Sequence, residues 1–187
     1  MYFNKNRFSH PVEIHQVFTR WSSIQKLMFG ALMSTVAAIL QSAGGLLPGI
    51  GLFISPFATA PILLMTLISF RTGFLTYLLT LFLLLLIEPS ELIIFPFTTG
   101  LLGLGLGWAF RTFNSPLKVL LSNGFLLTVG ICTPLYGLGF PIFGPAISSF
   151  NIAFLFIISL FSFLYSWLWL VFSLYFLRKI IPILKRL

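Results

Sequence analysis

Charged side chains are scarce in this 187-residue sequence, at 7% of the total. Soluble domains carry about 25%. Only three residues are acidic, all of them glutamates, and aspartate is absent. The shortage of charge excludes a chain that covers itself with a water-soluble surface. The absence of aspartate excludes an Asp-rich site for a metal-bound diphosphate.

Residues suited to catalysis or metal binding are equally few. Cys132 is the single cysteine, which excludes an internal disulfide and a multi-cysteine metal site. Both histidines, His10 and His15, precede the first apolar run and are remote from the other polar candidates. There is no HExxH motif and no Walker A motif. We therefore expect no enzymatic activity, no bound metal and no cofactor.

Long apolar runs are abundant, and hydrophobic residues make up 58% of the chain. The runs are apolar all round rather than alternating, so they predict helices, which satisfy their own backbone hydrogen bonds in lipid. Six runs have the character of membrane-crossing segments. They are residues 25–43, 53–70, 74–87, 92–110, 117–136 and 149–177. The fold class predicted is all-α, a polytopic membrane protein with six transmembrane helices.

The segment before the first of these runs is polar and mixed. Residues 12–24 place Val17, Trp21 and Ile24 at helical spacing, which favours a short helix lying on the membrane surface. The predicted organisation is thus a cytoplasmic interfacial amphipathic segment (1–24), a transmembrane domain (25–177) and a basic cytoplasmic tail (178–187).

Basic residues give the chain a net charge of +8 and are unevenly placed. If the chain crosses the membrane six times, all eleven basic residues fall on the same side as the two termini. These residues are Lys5, Arg7, Arg20, Lys26, Arg71, Arg111, Lys118, Arg178, Lys179, Lys185 and Arg186. The positive-inside rule then makes that side, and both termini, cytoplasmic. The basic excess faces the lipid bilayer, and we expect no nucleic-acid partner.

Small residues form a stripe on the first run. Gly30, Ser34 and Ala38 recur every four residues, and Ala31 and Ala37 lie beside them. Such a stripe lets another helix approach closely. The neighbour is either a helix of the same chain or a helix of another subunit. A second set of small residues, Gly100, Gly103 and Gly107 in the fourth run, predicts close helix packing.

The loops opposite the basic side are apolar and rich in Gly, Pro and Phe, chiefly 44–52 and 137–148. A merely solvated linker would be more hydrophilic. One interpretation is that these loops form a lid over a cavity, and the other is that they lie passively at the membrane surface. Polar residues near these loops are the candidates for ligand binding, although each would equally bond a neighbouring helix. They are Gln41, Glu88, Thr99, Thr133, Tyr136 and Asn151.

Two of the three acidic residues, Glu88 and Glu91, are separated by Pro89 and Ser90. Pro89 ends a helix there, and Ser90 is suited to cap the next. Three interpretations stay open: two solvated carboxylates at a turn, two carboxylates pointing into a ligand pocket, or an acid pair embedded in the membrane. The third is disfavoured because a charge at the bilayer centre costs about 3 kcal/mol or more.

Six spans with both ends inside, the small-residue stripe and the apolar loops together resemble the S components of energy-coupling-factor (ECF) transporters. The stretch "SPFATAPILLMTLISFRTGFLTYLL" (55–79) is similar to that family's passage from second to third helix, and "TTGLLGLGLGWAF" (98–110) to its glycine-rich fourth helix. The chain also looks like the related YybS-type membrane proteins of sporulating bacteria.

The resemblance implies a multi-pass protein of the bacterial cytoplasmic membrane that binds a substrate from outside. The substrate expected from the scarcity of polar pocket residues is a small, largely apolar or uncharged molecule. ATPase subunits would supply energy through a membrane coupling subunit. That subunit would dock on the interface formed by Gly30, Ala31, Ser34, Ala37 and Ala38. The alternative is a non-transporting membrane scaffold or morphogenesis protein of the same shape.

Overall fold

The structure is a computed structural model that describes residue 18, residues 21–140 and residues 152–184. The described residues are helical and contain no strand. We number the α-helices in chain order: α1 (Ser23–Leu46), α2 (Gly51–Ile54), α3 (Thr59–Ile68), α4 (Phe70–Ile87), α5 (Glu91–Ile94), α6 (Thr99–Thr112), α7 (Pro116–Cys132) and α8 (Ile152–Leu184).

Six helical segments in the described part are long and apolar enough to cross a membrane. They are Ser23–Leu46, Gly51–Ile68, Phe70–Ile87, Glu91–Thr112, Pro116–Gly137 and Ile152–Lys179. The six predicted helices are therefore confirmed, and their order and approximate bounds agree with the sequence analysis. The third is longer than expected, with 18 residues, because the helix begins directly at Phe70. It thus matches the length of about 20 residues that a bilayer requires.

The second and fourth spans are interrupted near their first turns. In the second, α2 leads through a 3₁₀ segment, Ser55–Ala58, into α3. In the fourth, α5 leads through a 3₁₀ segment, Phe95–Phe97, into α6. Each 3₁₀ segment contains a proline, which has no N–H for the α-helical ladder.

Close packing joins the spans where small residues lie. On α6, a Cβ added to Gly103 would lie 2.9 Å from both Cβ of Ile62 and the carbonyl oxygen of Thr59. One added to Gly107 would overlap the Thr66 side chain. The predicted close packing of the glycine-bearing helix is confirmed, and its neighbour is α3. Glycine allows this approach because it has no Cβ.

The stripe on α1 packs against α4 within the same chain. The Thr76 hydroxyl donates to the carbonyl of Gly30 at 3.5 Å, and the Thr80 hydroxyl donates to that of Ser34 at 3.5 Å. Four stripe residues, Gly30, Ser34, Ala37 and Ala38, are buried against α4 and the second span, and of the stripe only Ala31 is exposed. The structure therefore corrects the expected docking surface: these four side chains are covered by the chain itself and offer nothing to a second subunit.

The charges of the described part separate to opposite ends of the helices. The basic residues of the described part lie near one set of helix ends, which we call the basic end: Lys26, Arg71, Arg111, Lys118, Arg178 and Lys179. Glu88 and Glu91 lie at the other, which we call the acidic end, together with the turn at residues 47–50. The expected loop 44–52 is shorter than predicted, because α1 continues to Leu46 and α2 begins at Gly51.

The described residues just outside the first and last predicted runs add to the fold. Before α1, Phe18 is buried and packs with Trp21 and Phe29, while the rest of the predicted interfacial segment lies largely outside the described residues. Ser22 and Gln25 then form a capping box that starts α1. Helix α8 continues past the predicted boundary at residue 177 as far as Leu184, so the start of the basic tail is helical.

Candidate functional site

Gln41 lies near the acidic end of α1 and is almost fully buried, with 1% of its surface exposed. Its Nε2 donates a hydrogen bond of 2.7 Å to Oε2 of Glu91, at the start of α5. Its Oε1 accepts a hydrogen bond of 2.7 Å from the hydroxyl of Thr99, at the start of α6. We call these three residues the Glu91 network. A single amide thus uses a donor and an acceptor to hold both parts of the interrupted fourth span against α1.

Two glycines on α1 make room for the carboxylates. A Cβ added to Gly44 would lie 2.7 Å from Oε1 of Glu91, and one added to Gly45 would lie 2.9 Å from Cδ of Glu88. Ser55, at the start of the 3₁₀ segment in the second span, also borders Gly44, with its Cβ 3.3 Å from the same added atom. Any larger residue at Gly44 would push Glu91 out of its site.

The two glutamates have different environments. Glu88 is half-buried and accepts a hydrogen bond of 2.6 Å from the hydroxyl of Ser90. Glu91 is only 5% exposed. No lysine or arginine of the described residues forms an ion pair with it. The interpretation of two solvated carboxylates at a turn is therefore wrong for Glu91, although Ser90 and Pro89 between them are exposed.

A separate cavity of about 490 Å³ lies between α7 and α8. It is an open groove, and we call it the α7–α8 groove. Its lining combines large apolar side chains with a few small polar ones: Phe125, Thr128, Val129, Cys132, Thr133, Leu155, Ser159 and Phe163.

The hydroxyls in the groove are already bonded to their own helices. Thr128 donates to the carbonyl of Gly124 at 2.8 Å, and Ser159 donates to that of Leu155 at 2.8 Å. Thr133 donates to the carbonyl of Val129, also at 2.8 Å. Their oxygen lone pairs stay free, so the groove offers acceptors and no charge.

Thr133 opens a π-helical turn, Thr133–Gly137, which extends α7. The amide of Leu138 donates to the carbonyl of Thr133 at 3.1 Å, the spacing of a π-helix. Pro134 in this turn lacks the N–H that a regular α-helix would use. Turns of this kind occur frequently at functional sites.

The candidates from the sequence fall into two groups. Gln41 and Thr99 meet in the Glu91 network, whereas Thr133 lines the α7–α8 groove and Tyr136 follows it in the π-helical turn. Glu88 lies next to the first group without bonding to it in the structure, and Asn151 lies outside the described residues.

Of the two glutamates, only Glu88 is a ligand-binding candidate from the sequence, which leaves Glu91 open between a solvated turn and a ligand pocket. The burial of Glu91 depends on Gln41, which is 50 positions away, and on the room left by Gly44. The only local signal was an acidic residue at the first position of an apolar run. No group of three or more His, Cys, Asp or Glu suited to a metal ion exists in the part that the structure describes. Comparison of the chain with protein-family models, curated proteins and solved structures gives no match.

Proposed function

We propose that this protein is a membrane-embedded binding subunit that holds a small, largely apolar or uncharged molecule in the α7–α8 groove. The observation that carries the proposal is the volume of the groove, about 490 Å³, with a mixed apolar and hydroxyl lining. Sites for small molecules are clefts of roughly 300–1,000 Å³ lined mainly by apolar side chains with a few polar groups.

The chemistry of the lining supports this substrate class. Phe125 and Phe163 supply apolar surface, and the free lone pairs of Thr133 and Ser159 would accept hydrogen bonds from one or two donors on the ligand. Among the described residues, no charged side chain lines the groove. A charged ligand would therefore lose its hydration without a compensating partner, which is costly.

The topology of the proposal is the one predicted from the charges. The chain crosses the bacterial cytoplasmic membrane six times, with both termini and the basic end in the cytoplasm. Uptake of the bound molecule requires a coupling subunit and ATPase subunits in other chains, as in the ECF transporters that the sequence resembles. The surface for that coupling subunit is not the buried part of the α1 stripe.

Native mass spectrometry of the purified protein tests the proposal. The wild type should carry a small molecule, and Ser159→Trp, which fills the groove, should lose it. The matched control is Leu160→Trp on the same helix, because Leu160 is 60% exposed and does not line the groove. This variant should keep the ligand.

Two outcomes would contradict the proposal. Equal amounts of bound molecule in both tryptophan variants would mean adhesion to the outer surface rather than binding in the groove. A wild-type protein that purifies empty but in a stable complex with other membrane proteins would favour the alternative function, a non-transporting scaffold.

A further inference from the structure

The second and fourth spans repeat the same sequence pattern at a shift of 40 positions, from Gly51 to Glu91. The identical pairs include Pro56 with Pro96, Phe57 with Phe97, Thr59 with Thr99, and the tripeptide Phe70–Arg71–Thr72 with Phe110–Arg111–Thr112. The match covers the interruption in each span and its basic end. It indicates that the interrupted span occurs twice in the chain.

The structure repeats in the same way. A four-residue helix, a 3₁₀ segment with proline and a longer helix beginning at threonine occur in both spans, as α2–α3 and as α5–α6. A long helix then follows each, α4 and α7. The two interrupted spans run in the same direction and pack against each other through Gly103 and Gly107. In membrane transport proteins, interrupted helices at corresponding positions of two repeats mark the binding site.

The two equivalent threonines differ in their partners. The Thr99 hydroxyl donates to Gln41. The Thr59 hydroxyl is buried, with none of the residue exposed, and has no hydrogen-bond partner. A buried polar atom without a partner is uncommon and calls for an explanation.

Thr59 belongs to the same buried region as the Glu91 network. Its neighbour Ala58 packs in one cluster with Ala37 and Ala38, about one turn of α1 before Gln41. Its carbonyl lies against Gly103, one turn of α6 after Thr99. Thr59 therefore lies between α1 and α6, at a level about one helical turn along α1 from Gln41 and one turn along α6 from Thr99. We call these four residues, Gln41, Thr59, Glu91 and Thr99, the Glu91 site.

The electrostatics of this end are negative without compensation in the described residues. Glu91 is buried and has no cationic partner, and Glu88 brings a second carboxylate against Gly45. The C-terminal end of α1 also lies here, and the carbonyl groups of a helix C-terminus carry partial negative charge. A buried carboxylate is stable only when paired or neutralised.

We propose that the Glu91 site binds a monovalent inorganic cation of the sodium type. The groups available are the carboxylate of Glu91, the amide oxygen of Gln41 and the hydroxyls of Thr59 and Thr99. All are oxygens, the ligands that hard cations require. The one buried carboxylate balances one positive charge. The bound cation joins α1 to both interrupted spans and gives the unpartnered hydroxyl of Thr59 its partner.

The site is separate from the α7–α8 groove and does not depend on the function proposed for it. The full-length protein, purified in detergent, is unfolded by heat in sodium chloride and in choline chloride at equal ionic strength. The midpoint of unfolding should rise with sodium concentration and saturate, because an ion that binds only the folded state stabilises it. Choline should not reproduce the rise, because the methyl groups on its nitrogen keep the positive charge away from coordinating oxygens.

Two variants locate the effect. Glu91→Gln should abolish the sodium-dependent shift, and the control Glu88→Gln should retain it. Since Glu91→Gln alters a buried network, Thr59→Val provides an independent test: it keeps the shape of the side chain and removes a hydroxyl that bonds nothing in the structure. It should fold normally and need about tenfold more sodium for the half-maximal shift.

Equal midpoints of the wild type in sodium chloride and choline chloride would overturn the proposal. So would a sodium-dependent shift that keeps its full size and concentration dependence in both Glu91→Gln and Thr59→Val.

Discussion

Gln41 Nε2 lies 2.7 Å from Glu91 Oε2 and donates a hydrogen bond to it across 50 positions of sequence. The bond connects the end of the first span to the start of the fourth. It also explains how an acidic residue is held below the surface at the acidic end of the molecule. Because the Gln41 carbonyl simultaneously accepts from Thr99, loss of this one amide breaks both links.

Replacement of Gln41 by leucine should destabilise the protein strongly. The substitution leaves the Glu91 carboxylate and the Thr99 hydroxyl buried without their partner, at a cost of about 3 kcal/mol in the free energy of unfolding. Unfolding by denaturant in detergent micelles measures the change. The control is Ser42→Ala on the same helix, which removes one hydrogen bond, to the Ala38 carbonyl, and should cost about 1 kcal/mol. Equal losses in the two variants would contradict the role given to Gln41.

Gly51→Ala should be among the most damaging glycine substitutions. A Cβ at Gly51 would overlap the backbone carbonyl of Ala43, which cannot rotate away as a side chain would. We expect a loss of about 3 kcal/mol in stability. At Gly137 the nearest atom to an added Cβ is Thr133 Cγ2 at 4.0 Å, so Gly137→Ala should stay within about 0.5 kcal/mol of the wild type. Thermal unfolding of both variants would show whether this difference exists.

Ser34→Leu tests the placement of the α1 stripe. Ser34 is fully buried beside α4, so the larger side chain should separate the two helices and cost about 2 kcal/mol in the stability of the isolated protein. Ala31 is exposed, and Ala31→Leu should have an effect below about 0.5 kcal/mol. If instead Ser34→Leu unfolds like the wild type, the stripe does not pack inside the chain as the structure has it.

The orientation of the chain is open to a labelling experiment, because Cys132 is the single cysteine. In a Cys132→Ala background, Ser90→Cys at the acidic end should react with a membrane-impermeant maleimide added to intact cells. Asn114→Cys, exposed between α6 and α7, should react only after the cells are opened. The positive-inside rule predicts this result. Reaction of Asn114→Cys from outside would reverse the proposed topology.

The number of spans could be predicted because it depends on local composition. A run of about 20 apolar residues is sufficient to define a candidate crossing, whatever its neighbours are. Close packing at Gly103 was predictable for a similar reason, since a glycine in a helix removes the side chain that would hold another helix away.

Which helix packs against a given helix face was not predictable from the sequence. A stripe such as that of Gly30 and Ser34 shows that some helix approaches closely, but the spacing of the residues does not say which helix. In the structure Gly30 and Ser34 face α4 of the same chain, and not another subunit. Likewise, Thr133 was chosen as a polar residue near a span end, and only the position of α8 placed it in a groove.

The sequence by itself determined that the chain is helical, that it has six segments able to cross a membrane, and that Glu88 and Glu91 lie at the opposite end of these segments from the basic residues. These properties follow from the order of apolar and charged residues along the chain. Only the tertiary structure decided that Glu91 is buried while Glu88 stays half-exposed. That difference comes from residues distant in sequence, Gln41 as hydrogen-bond donor and Gly44 as the space that the carboxylate occupies.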